Sequence, residues 1–255
     1  RTVKLLSNEW REISMKKIFI TSILSISLFI ICLFLAWKTL SSANFFFDRL
    51  YEFHAIEEQI KKYAPQNRNK ENFEITSSLE HERIFGEIVS SINSNGEGLA
   101  KISYFDPSGA KIDTFLTNDE ITHLKDVSRL IVSSTEIVLF LSFVLIAFYG
   151  FSFFYKVNRS RYFWKPVSTF LSLSSMVLTL LLITGGVFLV GARKVFHILH
   201  EVFFADKGQW FFYYQESLMT TLLPESLFGT IAVMLTICAL IYWIILNIFI
   251  TKILE

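Results

Sequence analysis

The chain has 255 residues, is 52% hydrophobic and 16% aromatic, and combines a mean hydropathy of +0.45 with a formal charge of +1. A soluble domain spreads its apolar residues periodically, whereas these fall into blocks, and a near-neutral chain without a basic stripe is not built for nucleic acid. The class that remains is an α-helical integral membrane protein.

A bilayer core takes about 20 consecutive apolar residues per helix. Four blocks meet that requirement, at 18–37, 130–155, 167–190 and 226–250. The predicted architecture is therefore four transmembrane helices with a small mixed α/β extracytoplasmic domain between the first and second.

Residues 1–14 read as a leader or tail ahead of "MKKIFI", which has the look of a bacterial start. The first apolar block exceeds the roughly 7–15 residues of a signal-peptide core, which makes it an uncleaved anchor. The connection 38–129 carries 11 basic and 15 acidic residues, whereas the short loop 156–166 has Lys156, Arg159, Arg161 and Lys165 and no acid. The positive-inside rule then puts both termini and that loop in the cytoplasm, and 38–129 and 191–225 outside. The compartment so defined is a bacterial cytoplasmic (inner) membrane crossed several times. Cys32 and Cys238 both sit inside apolar blocks and define neither a disulfide nor a metal site.

Within 38–129, Phe46, Leu50, Phe53, Ile56 and Ile60 recur at helical spacing, which predicts one amphipathic helix continuing outward from the first block. "APQNRNKEN" is a polar linker, and "LEHERIFGEIVSSINS" puts Ile84, Ile88 and Ile92 on one helical face before the turn "NGEG". Two β-type runs flank Asp106-Pro107-Ser108-Gly109, a hairpin signal. Next, Thr117 stands three residues before Glu120, a capping box opening the helix that runs into the second block.

No G-x-S-x-G, H-E-x-x-H or G-x-x-x-x-G-K-[ST] motif is present, which removes the common membrane serine proteases, zinc proteases and P-loop ATPases. Five histidines are left to consider. His54 and His81 read as solvated or interfacial side chains. His123 shares a helical face with Asp126, and His197 and His200 lie three apart beyond the third block, beside the aromatic run of Trp210, Phe211, Tyr213 and Tyr214. For that pair, contact with lipid headgroups and a functional role are equally open. Glu136, inside the second block, is a functional candidate because an intramembrane acid is costly, with an ion pair or hydroxyl partner as the alternative.

Two stretches carry a family resemblance. "FLTNDEITHLKDVSRLI" has His123, Asp126 and Val127 at one motif. "LHEVFFADKGQWFFYYQESLMTTLLPESLF" has His200, Phe203, Phe204, Trp210, Phe212, Glu216, Ser217 and Pro224 at another. Together, and with the predicted helix count, they resemble the Lit-type lipoprotein intramolecular transacylase family of four-helix bacterial membrane proteins. Leu199 stands where that family often has phenylalanine, and Glu216 where aspartate is usual.

The resemblance implies an acyltransferase acting at the outer leaflet. It would move the sn-2 acyl chain of a diacylglyceryl-cysteine lipoprotein to that cysteine's own amine, giving the lyso-form. The partners implied are diacylated lipoproteins and membrane lipid, with no cofactor, no metal and no nucleic acid. The attacking nucleophile belongs to the substrate, so the enzyme needs no serine or cysteine of its own. On this reading His123 is the base and His200 the oxyanion donor or acid, an assignment open to exchange. Asp126 or Glu201 would orient a ring, with Trp210 and Glu216 in support. Phe203, Phe204, Phe212, Ser217, Pro224 and Glu136 would receive substrate. The stretch 63–116 would adapt the site to its lipoproteins. Two other functions stay open: a phospholipid acyltransferase or hydrolase that uses the same histidines on another substrate, and a membrane-anchored binding or assembly module whose outer domain carries the partner contacts. Which of His197 and His200 faces His123 is left to the fold.

Overall fold

The computed structural model describes residues 2–158, 169–204 and 209–254. Arg159, Arg161 and Lys165 of the basic loop lie outside the described residues. The elements in order are α1 (Thr2–Ser42), α2 (Phe47–Phe53), α3 (Ile56–Tyr63), α4 (Ser78–Asn93), β1 (Ser103–Phe105), β2 (Lys111–Thr114) and α5 (Asn118–Asn158). They continue with α6 (Thr169–Val190), α7 (Ala192–Phe204), α8 (Leu218–Leu222) and α9 (Glu225–Leu254). Short 3-10 turns join several of them.

The chain divides into two compact units. One comprises Arg1–Ala36, Glu136–Val190 and Thr236–Glu255, and the other Trp37–Thr135 and Gly191–Leu235. In the first, the Trp243 indole N–H donates to the Ser25 carbonyl at 3.2 Å and ties α9 to α1. Cys32, Ala36 and Ala239 are wholly buried, whereas Phe143, Ile146, Phe188 and Leu189 are all more than 70% exposed. An apolar exterior on helices of this length is what lipid requires. Among the described residues three helical stretches are long and apolar enough to span a membrane: Ile18–Ser42, Asn118–Phe154 and Glu225–Ile250. A fourth is reached when Met176–Val190 and Arg193–Phe204 are counted together across the break at Gly191, whose φ is +90°.

The second unit differs from the sequence expectation at its start. No single amphipathic helix leaves α1, because Asn44, Phe45 and Phe46 all adopt left-handed φ (49–53°) and Ala55 does so again at 49°. Each such non-glycine residue costs roughly 1–3 kcal/mol. Aromatic burial offsets it: Phe45 packs edge-on against Trp37, and Phe47 stacks on Phe85 with centroids 4.0 Å apart. The breaks also re-phase the helical faces, so Leu50, Ile56 and Ile60 are buried but Phe46 and Phe53 are exposed.

The α4 helix is capped by the Ser77 hydroxyl, which accepts from Glu80 N, and buries Ile84, Ile88 and Ile92. Asn93 Oδ1 accepts from both Trp37 Nε1 and Lys38 Nζ, and the Ser128 hydroxyl donates to the Ile92 carbonyl. The end of α4 is thereby fastened to Trp37 and to α5. Gly96, at φ +78°, lets the chain turn under α5, where a Cβ would sit 2.8 Å from Lys125 Cγ. β1 and β2 pair antiparallel. Their turn is closed by Asp106, whose Oδ1 accepts from the backbone N–H groups of Ser108 and Ala110.

His81 is a correction to the sequence reading. It is 2% exposed, because it falls on the same face of α4 as Ile84 and Ile88. The Thr76 hydroxyl donates to the Phe73 carbonyl, so it must accept from His81 Nε2 at 2.7 Å, and Nδ1 then accepts from the Tyr51 hydroxyl at 2.9 Å. The ring is neutral with both nitrogens satisfied. Burial pushes its pKa down to about 4, against the opposing pull of Glu80 and Glu57.

The unfolded chain, with an ordinary histidine near 6.5, takes up a proton between pH 6.5 and 4 that the folded chain refuses. Stability from this group is therefore complete above about pH 6.5 and falls as pH drops toward 4, by on the order of 3 kcal/mol. Thermal unfolding of the detergent-solubilised protein at pH 7 and pH 4.5 should show this loss, and a non-titrating His81→Gln variant should show a flatter pH profile.

Candidate active site

The second unit brings the two sequence motifs together. His123, on α5, is 9% exposed, and its ring centroid lies 5.9 Å from that of His200 on α7. Phe204, at 5.0 Å from His123 and 5.5 Å from His200, touches both. Phe212 lies 6.1 Å from His123, and Trp210 5.1 Å from His200. His197, one turn earlier, packs against Trp210 and Phe211 instead. The histidine that faces His123 is thus His200.

The two rings are held differently. His200 Nδ1 lies 2.9 Å from the Phe196 carbonyl oxygen, which can only accept, so Nδ1 carries the proton and neutral His200 keeps its lone pair on Nε2. Phe196 also packs its own ring on His200 at 4.0 Å. Among the described residues no hydrogen bond reaches the His123 ring. Two imidazoles this close do not both hold a positive charge cheaply, so the pair takes up at most one extra proton at a time.

The other candidates divide. Asp126 is buried, but its carboxylate accepts from Arg129 Nη1 at 2.7 Å rather than from an imidazole. Glu201 and Glu216 are exposed, and Phe203 is exposed on α7 with its ring near that of Phe204. Ser217 is fully buried, caps α8 by accepting from Thr220 N at 3.1 Å, and donates its hydroxyl proton to Glu120 Oε1. Pro224 ends the turn after α8, and its carbonyl accepts from Leu227 N as α9 begins. Glu136 is exposed on α5 and belongs to the other unit, outside the cluster.

Sequence reasoning missed what holds the aromatic segment. The polar linker contributes a clamp: Asn67 Nδ2 donates to the Tyr214 carbonyl at 3.1 Å, Arg68 N to the Gln215 carbonyl at 2.8 Å, and Asn69 Nδ2 to the Glu216 carbonyl at 3.4 Å. Asn67 Oδ1 meanwhile accepts from the backbone N–H groups of Asn69 and Lys70, and Lys70 reaches Asp113 and Thr114 on β2. The only advance signal is the local one: asparagine side chains bond to backbone two or three residues on and so shape loops.

The chain is therefore an integral membrane protein whose second unit gathers a histidine pair under an aromatic segment. The family model for the lipoprotein intramolecular transacylase Lit matches residues 22–228, and the chain belongs to that family. No curated protein matches it. Among solved structures it is similar to an in meso structure of the membrane-integral lipoprotein intramolecular transacylase Lit from Bacillus cereus, a variant with one histidine replaced by arginine. The two share 14% identity over 96% of each chain with a TM-score of 0.60, a likeness of fold.

Replacing Asn67 by alanine removes one donated and two accepted hydrogen bonds, a loss of about 1–3 kcal/mol. Thermal unfolding should register that loss, and hydrogen exchange should rise selectively over 209–217.

Proposed function

We propose that this protein moves the sn-2 acyl chain of a diacylglyceryl-cysteine lipoprotein onto that cysteine's own α-amine, leaving the lyso-form. Family membership gives the reaction class, and the single observation that carries the histidine mechanism is the approach of His123 to His200 beneath aromatic side chains. The site is assigned to the outer leaflet of the bacterial cytoplasmic membrane, with both termini cytoplasmic, on the distribution of basic residues.

The chemistry asks little of the protein beyond positioning and proton transfer. The substrate amine attacks the ester carbonyl carbon, the tetrahedral intermediate collapses, the bond to the glycerol oxygen breaks, and that oxygen takes up a proton. An α-amine has a pKa near 7.7–8 and an ordinary imidazole near 6.5, and burial lowers His200 further, so its ring is unprotonated and able to accept a proton at neutral pH. The Phe196 hydrogen bond favours exchanging the roles first assigned: His200, with Nε2 unprotonated, takes the amine proton. His123, free of other hydrogen bonds among the described residues, donates a hydrogen bond to the oxyanion, and the proton taken up by His200 passes to the departing oxygen, directly or by relay through His123, so both rings end neutral. Holding amine and ester on one molecule against an aromatic wall makes the attack effectively unimolecular, worth up to about 7–11 kcal/mol of barrier in well-aligned systems. Phe204 and Phe212 supply that wall beside His123, and Trp210 beside His200.

Mass spectrometry of lipoprotein N-termini from cells expressing the protein tests this reading. Wild type should yield lyso-form, and His123→Ala and His200→Ala should each cut it by about 100-fold or more, as removal of a general acid or base does. Lyso-form at wild-type levels in both variants would sink the histidine mechanism.

A further inference from the structure

Glu120 has no solvent exposure, and it lies three residues before His123, on the same face of α5. Both of its carboxyl oxygens are engaged. Oε2 accepts from Thr117 N at 2.6 Å, completing the capping box with Thr117, whose hydroxyl accepts from Glu120 N. Oε1 accepts from the Ser217 hydroxyl. A capping glutamate ordinarily reaches back over its own helix and stays at the surface, so the cap alone does not account for burial. The second oxygen does: Ser217 ends the segment 209–217 that places Phe212 beside His123 and Trp210 beside His200. The linker clamp grips the same segment at 214–216 from the opposite side of the sequence, through backbone groups. One buried carboxyl thus joins the helix of one histidine to the segment that walls both.

We propose that Glu120 is a positioning residue of the acyl transfer, fixing the aromatic segment against the imidazole pair through Ser217. The inference rests on the histidine reading of the site given above. Glu120 touches neither imidazole through a hydrogen bond among the described residues, so its effect passes through Ser217 and the segment. A glutamine fits the same space: its oxygen accepts from Thr117 N and its amide donates to the Ser217 oxygen, which has a second lone pair beyond the one given to Thr220 N, with the Ser217 hydroxyl proton released from its glutamate acceptor. The positioning role therefore needs the side-chain shape and two hydrogen bonds, not the charge.

The test uses the full chain reconstituted in liposomes with a synthetic diacylglyceryl-cysteine peptide. Glu120→Ala and Ser217→Ala should each lower kcat by about tenfold or more, as small misplacements in a site do, with KM little changed. The double variant should be no slower than the slower single one, and Glu120→Gln should recover most of the rate. Trp210 provides a readout that loss of stability alone would not move. The emission difference between each variant and its Trp210→Phe counterpart should shift in the Ala variants at temperatures where they remain folded, and not in Glu120→Gln. His123→Ala and His200→Ala run alongside. If those two lose activity while Glu120→Ala and Ser217→Ala keep wild-type kcat, the positioning role falls and the histidine reading stands. Glu120→Gln as slow as Glu120→Ala also overturns it, because the carboxylate itself would then be required. Activity retained by the histidine variants defeats the underlying reading instead. Should Glu120→Ala not fold, Ser217→Ala and Glu120→Gln decide the question between them.

Discussion

A carboxyl group taken wholly out of water must be compensated, and Glu120 is compensated twice, by the start of its own helix and by Ser217. That requirement couples parts of the chain nearly a hundred residues apart. Because residues three apart share a face of a helix, the geometry that secures Glu120 also sets the direction in which His123 projects. Phe212 and Trp210 follow, since the segment that carries them ends at Ser217. The direction of His123 and the place where the aromatic segment ends are in this sense tied to satisfying one buried acid.

The second unit contains two kinds of buried histidine, and the contrast separates structure from chemistry. His81 has both nitrogens committed, one accepting from Tyr51 and one donating to Thr76, within an aromatic cage of Tyr51 and Phe73. It has nothing left to offer a ligand. His123 is almost as buried but is bounded by rings, which satisfy van der Waals contact and leave its nitrogens uncommitted among the described residues. His200 is intermediate, with one nitrogen bound to its own helix and the other open. Burial alone therefore does not distinguish these residues, and the bonding of each ring nitrogen does.

Much of the fold could be read in advance because its signals are local. Apolar blocks of bilayer length, the Thr117–Glu120 cap, the Asp106–Gly109 turn and the isoleucine stripe of α4 each depend on neighbours a few residues away. The helix breaks at Asn44–Phe46 and Ala55 could not, since phenylalanine and alanine have no intrinsic preference for the left-handed conformation, and what accompanies the first break is the packing of Phe45 on Trp37 and of Phe47 on Phe85. His81 was misread for a related reason, its charged neighbours masking its place in the isoleucine register. At the candidate site the residue types and their two motifs were legible, but not which of His197 and His200 would meet His123. A spacing of three puts both on one side of a helix, and the choice depends on how α7 lies against α5. The linker 64–72 read only as polar, because its clamp consists of hydrogen bonds to backbone, which leave no pattern in the residues they hold.

The bond from His200 Nδ1 to the Phe196 carbonyl comes from the main chain of its own helix, one turn back. In many sites an imidazole is oriented by a neighbouring carboxylate, and replacing that neighbour flips or frees the ring. Among the described residues no side chain bonds the His200 ring. The tautomer is set by a main-chain oxygen that is present in any sequence that keeps this turn of α7 helical. Residues around the ring can then change while the protonation pattern of the imidazole stays written in the backbone.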